Sequence, residues 1–181
     1  MQPLPPIVGF VAPSGTGKTT LIEGVVRSLV QRGLRVGALK HDAHRLELDR
    51  PGKDTWRFRQ AGAWRSVICG DGQVAMFSSV DVVQRVRPLV EAFFADADIV
   101  VVEGFRGGEI PCVRVHRSAH GDPAWGCASA PVAWVSDVPI DTDAPVLPLD
   151  RPEVVADWLV TTFLAQPARQ HALAHAVLDG V

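Results

Sequence analysis

Eight consecutive residues constrain this chain more than any others: Ala12-Pro13-Ser14-Gly15-Thr16-Gly17-Lys18-Thr19. They lie between a short apolar run, Ile7-Val8-Gly9-Phe10-Val11, and a stretch with helical periodicity. An apolar run of that length reads as a strand buried on both faces. From Lys18 to Arg32 an apolar stripe recurs at Leu21, Val25, Val26 and Leu29, and Gly33 suits the C-terminal cap of that helix. Arg35 to Lys40 reads as the next strand. Strand, glycine-rich turn, helix and strand make a βαβ unit, which dictates a parallel strand pair joined by a right-handed crossover.

The turn itself carries chemistry. Its spacing is that of a Walker A motif, with Ala12 where a first glycine often stands. Small residues at Ser14, Gly15, Thr16 and Gly17 let backbone N–H groups turn inward as an anion-binding nest, and the following helix aims the positive end of its dipole at the same point. Lys18 is then placed to reach β- and γ-phosphates, and the Thr19 hydroxyl to ligate magnesium. A chance Gly/Lys/Thr turn would not require the apolar strand before it and the amphipathic helix after it. Pro13 stands where the dimeric partitioning ATPases carry an additional lysine, which argues against that class.

A phosphate loop of this kind needs an acidic residue at the end of a neighbouring strand. Ile99-Val100-Val101-Val102-Glu103-Gly104 offers Glu103. Between the two strands of the βαβ unit and this third one lies a polar stretch, His41 to Lys53, read as a loop with a turn at Pro51-Gly52. In open α/β sheets ligands sit beyond the carboxyl ends of strands, where Lys40 and Asp42 lie; Asp42 or Asp49 is a candidate to reach magnesium through water, and Lys53, Arg57 and Arg59 to meet phosphate, with a solvated charged loop the plain alternative. His41 and His44 have HxxH spacing with no third ligand in view, and His171 and His175 fall in a polar tail.

The remaining pattern predicts a helix over Thr55–Ala61 capped by Asp54, strands over 64–69 and 73–77 joined by a hairpin turn at Gly70-Asp71-Gly72, and a helix over 82–94 kinked or begun by Pro88. Strands follow at 112–116, 132–135 and 145–149, with a loop over 118–131 and a helix over 153–164. The fold class is therefore α/β: a P-loop NTPase fold with a mainly parallel β-sheet flanked by helices and a β-hairpin insertion. The expected domain spans 1–166, followed by a tail at 167–181.

Composition excludes several classes. Of 181 residues 47% are hydrophobic, enough for a core, and 18 basic against 20 acidic residues leave a net charge of −2, so nothing points to nucleic acid or to an anionic membrane. No window has the roughly 18 apolar residues of a transmembrane helix. The three cysteines, Cys69, Cys112 and Cys127, are dispersed without a CxxC pair, so free thiols, no zinc site and a cytoplasmic setting are expected.

Several stretches together resemble the MobB family, adapters of molybdopterin-guanine dinucleotide biosynthesis. They are Gly17-Lys18-Thr19-Thr20-Leu21, Lys40-His41, Asp49-Arg50-Pro51-Gly52-Lys53-Asp54-Thr55 with Arg57 and Ala61-Gly62-Ala63, Val102-Glu103-Gly104-Phe105, and Ser136-Asp137-Val138-Pro139. The PGKD segment is far more specific than the Walker A pattern, and the match runs from Ile7 to about Leu164. The resemblance implies a homodimer that binds GTP with Mg2+, hydrolyses it weakly and assists a MobA-type guanylyltransferase that joins GMP to molybdopterin, with molybdopterin itself a further candidate ligand. It implies that Gly15, Gly17, Lys18, Thr19 and Thr20 hold phosphate, that Glu103 serves the magnesium side, and that Lys18 and Glu103 are the catalytic pair. Asp49, Lys53 and Asp54 fall in the family's characteristic loop. Ser136 and Asp137 stand where related GTPases recognise guanine, and a capping role for Asp137 competes with that reading. The run Asp42-Ala43-His44 with Leu46-Glu47-Leu48 departs from the denser histidines of relatives. Arg57 and Arg106 are candidates for the transition-state cation. Two other classes share the loop. A small-molecule kinase would use the 41–59 stretch as a lid, and a GTPase metallochaperone would need a Cys/His cluster.

Overall fold

The computed structural model describes residues 4–41, 49–78, 85–120 and 128–164. Its centre is a six-stranded sheet. In chain order the strands are β1 (Ile7–Val11), β2 (Val36–Lys40), β5 (Ile99–Glu103), β6 (Cys112–His116), β7 (Ala133–Ser136) and β8 (Val146–Pro148). They lie side by side as β2-β5-β1-β6-β7-β8, every neighbouring pair parallel. Apolar side chains on both faces of β1 and β5 explain their central place, since only strands covered on two sides can be uniformly apolar.

Helices cover the two faces. On one side α1 (Lys18–Gln31) and α4 (Pro152–Leu159) pack with Val8, Phe10, Val101, Val113 and Val135 into the larger core. On the other, α3 (Val86–Phe93) lays Val86 and Val90 against Ile7, Val100 and Val102. The α1 stripe is wider than the sequence pattern suggests, because Ile22 is also buried while Val26 is only partly so. Gly33 ends α1 as expected. Its φ is +81°, its N–H bonds to the Val30 carbonyl at 2.9 Å, and the next N–H, of Leu34, reaches Leu29 at 3.3 Å.

Three boundaries differ from expectation, each for a local reason. Arg85 is extended and α3 starts at Val86, which puts Pro88 in the first turn where a missing N–H costs no helical bond; residues 79–84 lie outside the described ones. Asp54 is the first residue of α2 (Asp54–Gln60), not its cap, and Lys53 holds the cap position. The last helix keeps α-geometry only to Leu159 and continues to Leu164 as a wider π-type turn.

The hairpin is as predicted. β3 (Arg65–Gly70) and β4 (Gln73–Ser78) pair antiparallel, Gly70 facing Gln73. The two residues between them, Asp71 and Gly72, have φ of +51° and +71°, the sign pattern of a type I′ turn whose twist suits a hairpin. It forms its own two-stranded sheet, separate from the main one.

The cysteine expectation needs correction. Cys69 is free and exposed, but Cys112 is disulfide-bonded. The dispersed spacing of the three cysteines gave no sign of this. Cys127, Asp42, His44, His171, His175 and the tail at 167–181 lie outside the described residues.

Candidate functional site

The glycine-rich turn follows β1 at the carboxyl edge of the sheet and leads directly into α1. Gly15 and Gly17 have φ of +83° and +85°, a region that side chains other than glycine avoid, so the sequence at these two places is dictated by the backbone path. Space gives a second reason. A Cβ on Gly15 would stand 3.1 Å from the His120 imidazole, and one on Gly17 3.1 Å from Arg117 Nη2. Thr16, only 1% exposed, donates its hydroxyl to the Pro13 carbonyl at 3.0 Å, closing the turn on itself. The first-turn amides of α1 have no side-chain cap, which leaves them for an external anion.

At the mouth of this turn three side chains from distant parts of the chain meet. Lys18 Nζ lies 3.4 Å from Glu103 Oε1, both side chains 14% exposed. The Thr19 hydroxyl stands 3.1 and 3.2 Å from the two Glu103 oxygens. The strand order brings this about: β5 lies beside β1 in register, Phe10 opposite Glu103, so the carboxylate at the end of β5 arrives where α1 begins. Gly104 then turns the chain away with φ +87°, its N–H bonding to the Phe10 carbonyl at 3.0 Å, while the Glu103 carbonyl accepts from His41 N–H at 2.8 Å. Glu103 is thus held by backbone bonds to β1 and to the chain leaving β2.

This arrangement suits magnesium. The ion keeps several waters and takes one or two protein oxygens plus phosphate, and Thr19 Oγ1 with the Glu103 carboxylate is such a pair. A dedicated all-protein cage would look different, and no group of three or more His, Cys, Asp or Glu side chains arranged for a metal occurs among the described residues.

Other expected residues sit elsewhere. The Asp49 side chain, 5% exposed, accepts the Thr55 hydroxyl at 2.9 Å and pairs with Arg59 Nε at 3.2 Å. Its carboxylate therefore ties the Pro51-Gly52 turn to α2. Lys53 is exposed at the start of α2, and Arg57 pairs loosely with Asp54 at 3.9 Å. Ser14 and Thr20 are exposed at the loop. Ser136 ends β7 buried, its hydroxyl accepting from Val138 N–H at 3.1 Å. Asp137 is exposed and accepts from Ser118 twice, from N–H at 2.8 Å and from the hydroxyl at 3.0 Å. The Ser118 backbone bond, foremost, holds its carboxyl below the ordinary value, with further help from the Ser118 hydroxyl and the nearby Arg117 charge.

Two residues at the loop carry no motif in the sequence. Arg117 and His120 follow β6, the neighbour of β1 on the side away from β5, and Arg117 Nε donates to the Thr16 carbonyl at 3.0 Å.

The chain is similar to known proteins over most of its length. The family model of molybdopterin guanine dinucleotide synthesis protein B matches residues 7–137, which include the loop, Glu103 and Asp137. This chain belongs to the MobB family. The molybdopterin-guanine dinucleotide biosynthesis adapter protein of Escherichia coli (strain K12) is 32% identical over 160 residues, covering 86% of this chain and 91% of that protein. The adapter protein of Haemophilus influenzae is 30% identical over 155 residues, covering 85% and 87%. The crystal structure of Bacillus subtilis MobB superposes with a TM-score of 0.72 at 25% identity, covering 89% of this chain and 99% of that one. The fold is that of MobB crystal structures, P-loop NTPase-like, as the sequence pattern predicted. Like its family, the chain serves molybdopterin guanine dinucleotide biosynthesis. No helix among the described residues is long and apolar enough to cross a membrane.

Proposed function

We propose that this MobB chain binds Mg2+–GTP in the Gly15–Thr20 loop and acts as a cytoplasmic adapter to a MobA-type guanylyltransferase that joins GMP to molybdopterin. The observation that carries this reading is the convergence of Lys18, Thr19 and Glu103 at the mouth of a turn with two left-handed glycines. Lys18 would hold the β- and γ-phosphates, and the Thr19 hydroxyl with the Glu103 carboxylate would hold the magnesium ion, which would neutralise phosphate charge. Asp49, committed to Thr55 and Arg59, supports the Pro51-Gly52 turn in this reading, and the ion is assigned to Thr19 and Glu103. Lys53 is exposed beside that turn and free to meet phosphate or the partner enzyme.

Hydrolysis by the isolated chain is slow in this reading. Rapid turnover in such sites needs a positioned arginine or glutamine, often supplied by a partner, and Arg57 lies on the exposed face of α2, paired only loosely with Asp54. Guanine selection is assigned to Ser136 and Asp137. The exposed Asp137 carboxylate keeps its bonds to Ser118 and has the remaining lone pairs of its two oxygens to accept guanine N–H groups.

The homodimer rests on the hairpin. A free two-stranded sheet is marginal in water, yet Trp64, Val67, Ile68 and Val74 stand 70%, 53%, 55% and 72% exposed on and beside it. Val67 and Val74 lie on one face of the hairpin and Ile68 on the other, and a second copy that packs against the hairpin and pairs along its edge covers them.

The test is binding of GTP and ATP with and without magnesium, beside Lys18→Ala and Asp137→Asn. Magnesium-dependent preference for GTP, lost in Lys18→Ala and blunted toward ATP in Asp137→Asn, is the expected result. Equal ATP binding in the wild type refutes the guanine assignment, and a Lys18→Ala variant that binds as tightly as wild type refutes the phosphate site.

A further inference from the structure

The phosphate loop is held from outside by a residue that belongs to neither the motif nor the strand carrying Glu103. Arg117 follows β6 by one residue, and its Nε–H bonds to the Thr16 carbonyl at 3.0 Å. Thr16 is 1% exposed, so its carbonyl lies in a setting where a missing partner is costly. The same peptide unit carries the Gly17 N–H. No peptide bond in the described chain is cis, and in a planar trans unit the carbonyl and the N–H point in opposite directions. Fixing the Thr16 carbonyl toward Arg117 therefore fixes the Gly17 N–H away from it, toward the nest. Glycine has little conformational preference of its own, and Gly17 sits at φ +85°, so nothing intrinsic to the residue prevents the peptide from rotating.

The anchor is itself fastened. Its neighbour Ser118 is held by Asp137 through both the N–H, at 2.8 Å, and the hydroxyl, at 3.0 Å. A chain of bonds thus runs from the end of β7, through the segment after β6, to the loop after β1. The guanidinium lies so close over the loop that a Cβ on Gly17 would come within 3.1 Å of Nη2.

We propose that Arg117 is a positioning residue for phosphate binding: it locks the Thr16–Gly17 peptide so that the Gly17 N–H faces the bound nucleotide. The proposal rests on the phosphate-site reading above and adds a residue outside the motif. Backbone donors of such loops cradle the α- and β-phosphates. A misaimed Gly17 N–H therefore weakens GTP and GDP alike, whereas an arginine touching the γ-phosphate would affect GTP alone.

The experiment measures affinities of the full chain for Mg2+–GTP and Mg2+–GDP in wild type, Arg117→Ala, Arg117→Lys and Lys18→Ala, with thermal midpoints and the Gly17 amide proton shift in each. Arg117→Ala is expected to weaken both nucleotides by the same factor, about tenfold to a hundredfold, the range for one lost hydrogen bond to a charged group. The downfield movement of the Gly17 amide proton on GDP binding, present in wild type, is expected to vanish while the thermal midpoint stays within a few degrees. Arg117→Lys keeps the charge but has no N–H at the Nε position, and it falls with Arg117→Ala. Full rescue by lysine, a loss confined to GTP, or a loss that only tracks a collapsed midpoint overturns the proposal. So does an Arg117→Ala variant that binds as wild type does while Lys18→Ala fails, which leaves the phosphate site standing. Wild-type protein that binds neither nucleotide overturns the phosphate site and this proposal together.

Discussion

Gly104 offers a perturbation whose size can be worked out from the structure. Substituting alanine meets two separate costs. The backbone stands at φ +87°, where a Cβ crowds the following carbonyl, a strain of about 1–2 kcal/mol. The added Cβ also comes 2.6 Å from the His41 carbonyl oxygen, against an ordinary contact starting at 3.4 Å. That oxygen is backbone, and it cannot swing aside as a side chain would. Movement there disturbs the bond from His41 N–H to the Glu103 carbonyl at 2.8 Å and the bond from Gly104 N–H to Phe10 at 3.0 Å. Overpacking of this kind costs about 1–3 kcal/mol. Gly104→Ala is therefore expected to lose about 2–5 kcal/mol in all. Gly33 supplies the control: its φ is +81°, but nothing lies within 4 Å of the place a Cβ would take there, so Gly33→Ala meets the strain alone. Urea denaturation of both variants with linear extrapolation isolates the steric part as their difference, about 1–3 kcal/mol. The relief must also displace Glu103, so magnesium-dependent nucleotide affinity should fall in Gly104→Ala and stay unchanged in Gly33→Ala. Equal stability losses in the two variants would refute the steric argument, and an unchanged affinity in Gly104→Ala would refute the claim that Gly104 positions the carboxylate.

Glu103→Gln keeps the shape of the side chain but removes the charge that faces Lys18 and Thr19, and it should weaken nucleotide binding in magnesium by about tenfold or more while leaving magnesium-free binding nearly unaltered; titration with and without the ion checks this. Asp137 carries a depressed carboxyl pKa in the folded chain, so its bonds to Ser118 stabilise fully above the ordinary value of 3.8 and are lost as pH falls through the lower folded value. Urea midpoints of wild type and Asp137→Ala should accordingly differ at neutral pH and converge in acid, and a gap that widens in acid would contradict the sign. On the hairpin, Ile68→Asp and Val74→Asp should shift the chain toward monomer in sedimentation experiments, whereas the same change at exposed Val30 on α1, whose exposure is 53%, should not.

Why the sequence revealed some of this and concealed the rest follows from what each feature depends on. The loop, the two left-handed glycines and the hairpin turn at Asp71-Gly72 depend on local backbone geometry, and local geometry is written in adjacent residues. Glu103 was legible for a related reason: an acidic residue directly after Ile99-Val100-Val101-Val102 must leave a buried strand at the sheet's edge. Asp49 was misleading because an acid in a polar loop looks available, and only the fold shows it enclosed between Thr55 and Arg59. Arg117 had no signal at all. Its meeting with Thr16 depends on β6 lying next to β1 on the side opposite β5, and strand order is a non-local property that alternation and glycine placement do not encode. The same reasoning accounts for Ile22, which a narrow helical stripe omits but which is buried because α4 packs beside α1 and widens the covered face. The residues of the glycine-rich loop are thus recognisable one strand at a time, whereas Arg117, which meets that loop at the Thr16 carbonyl, is recognisable only once the neighbouring strand is known.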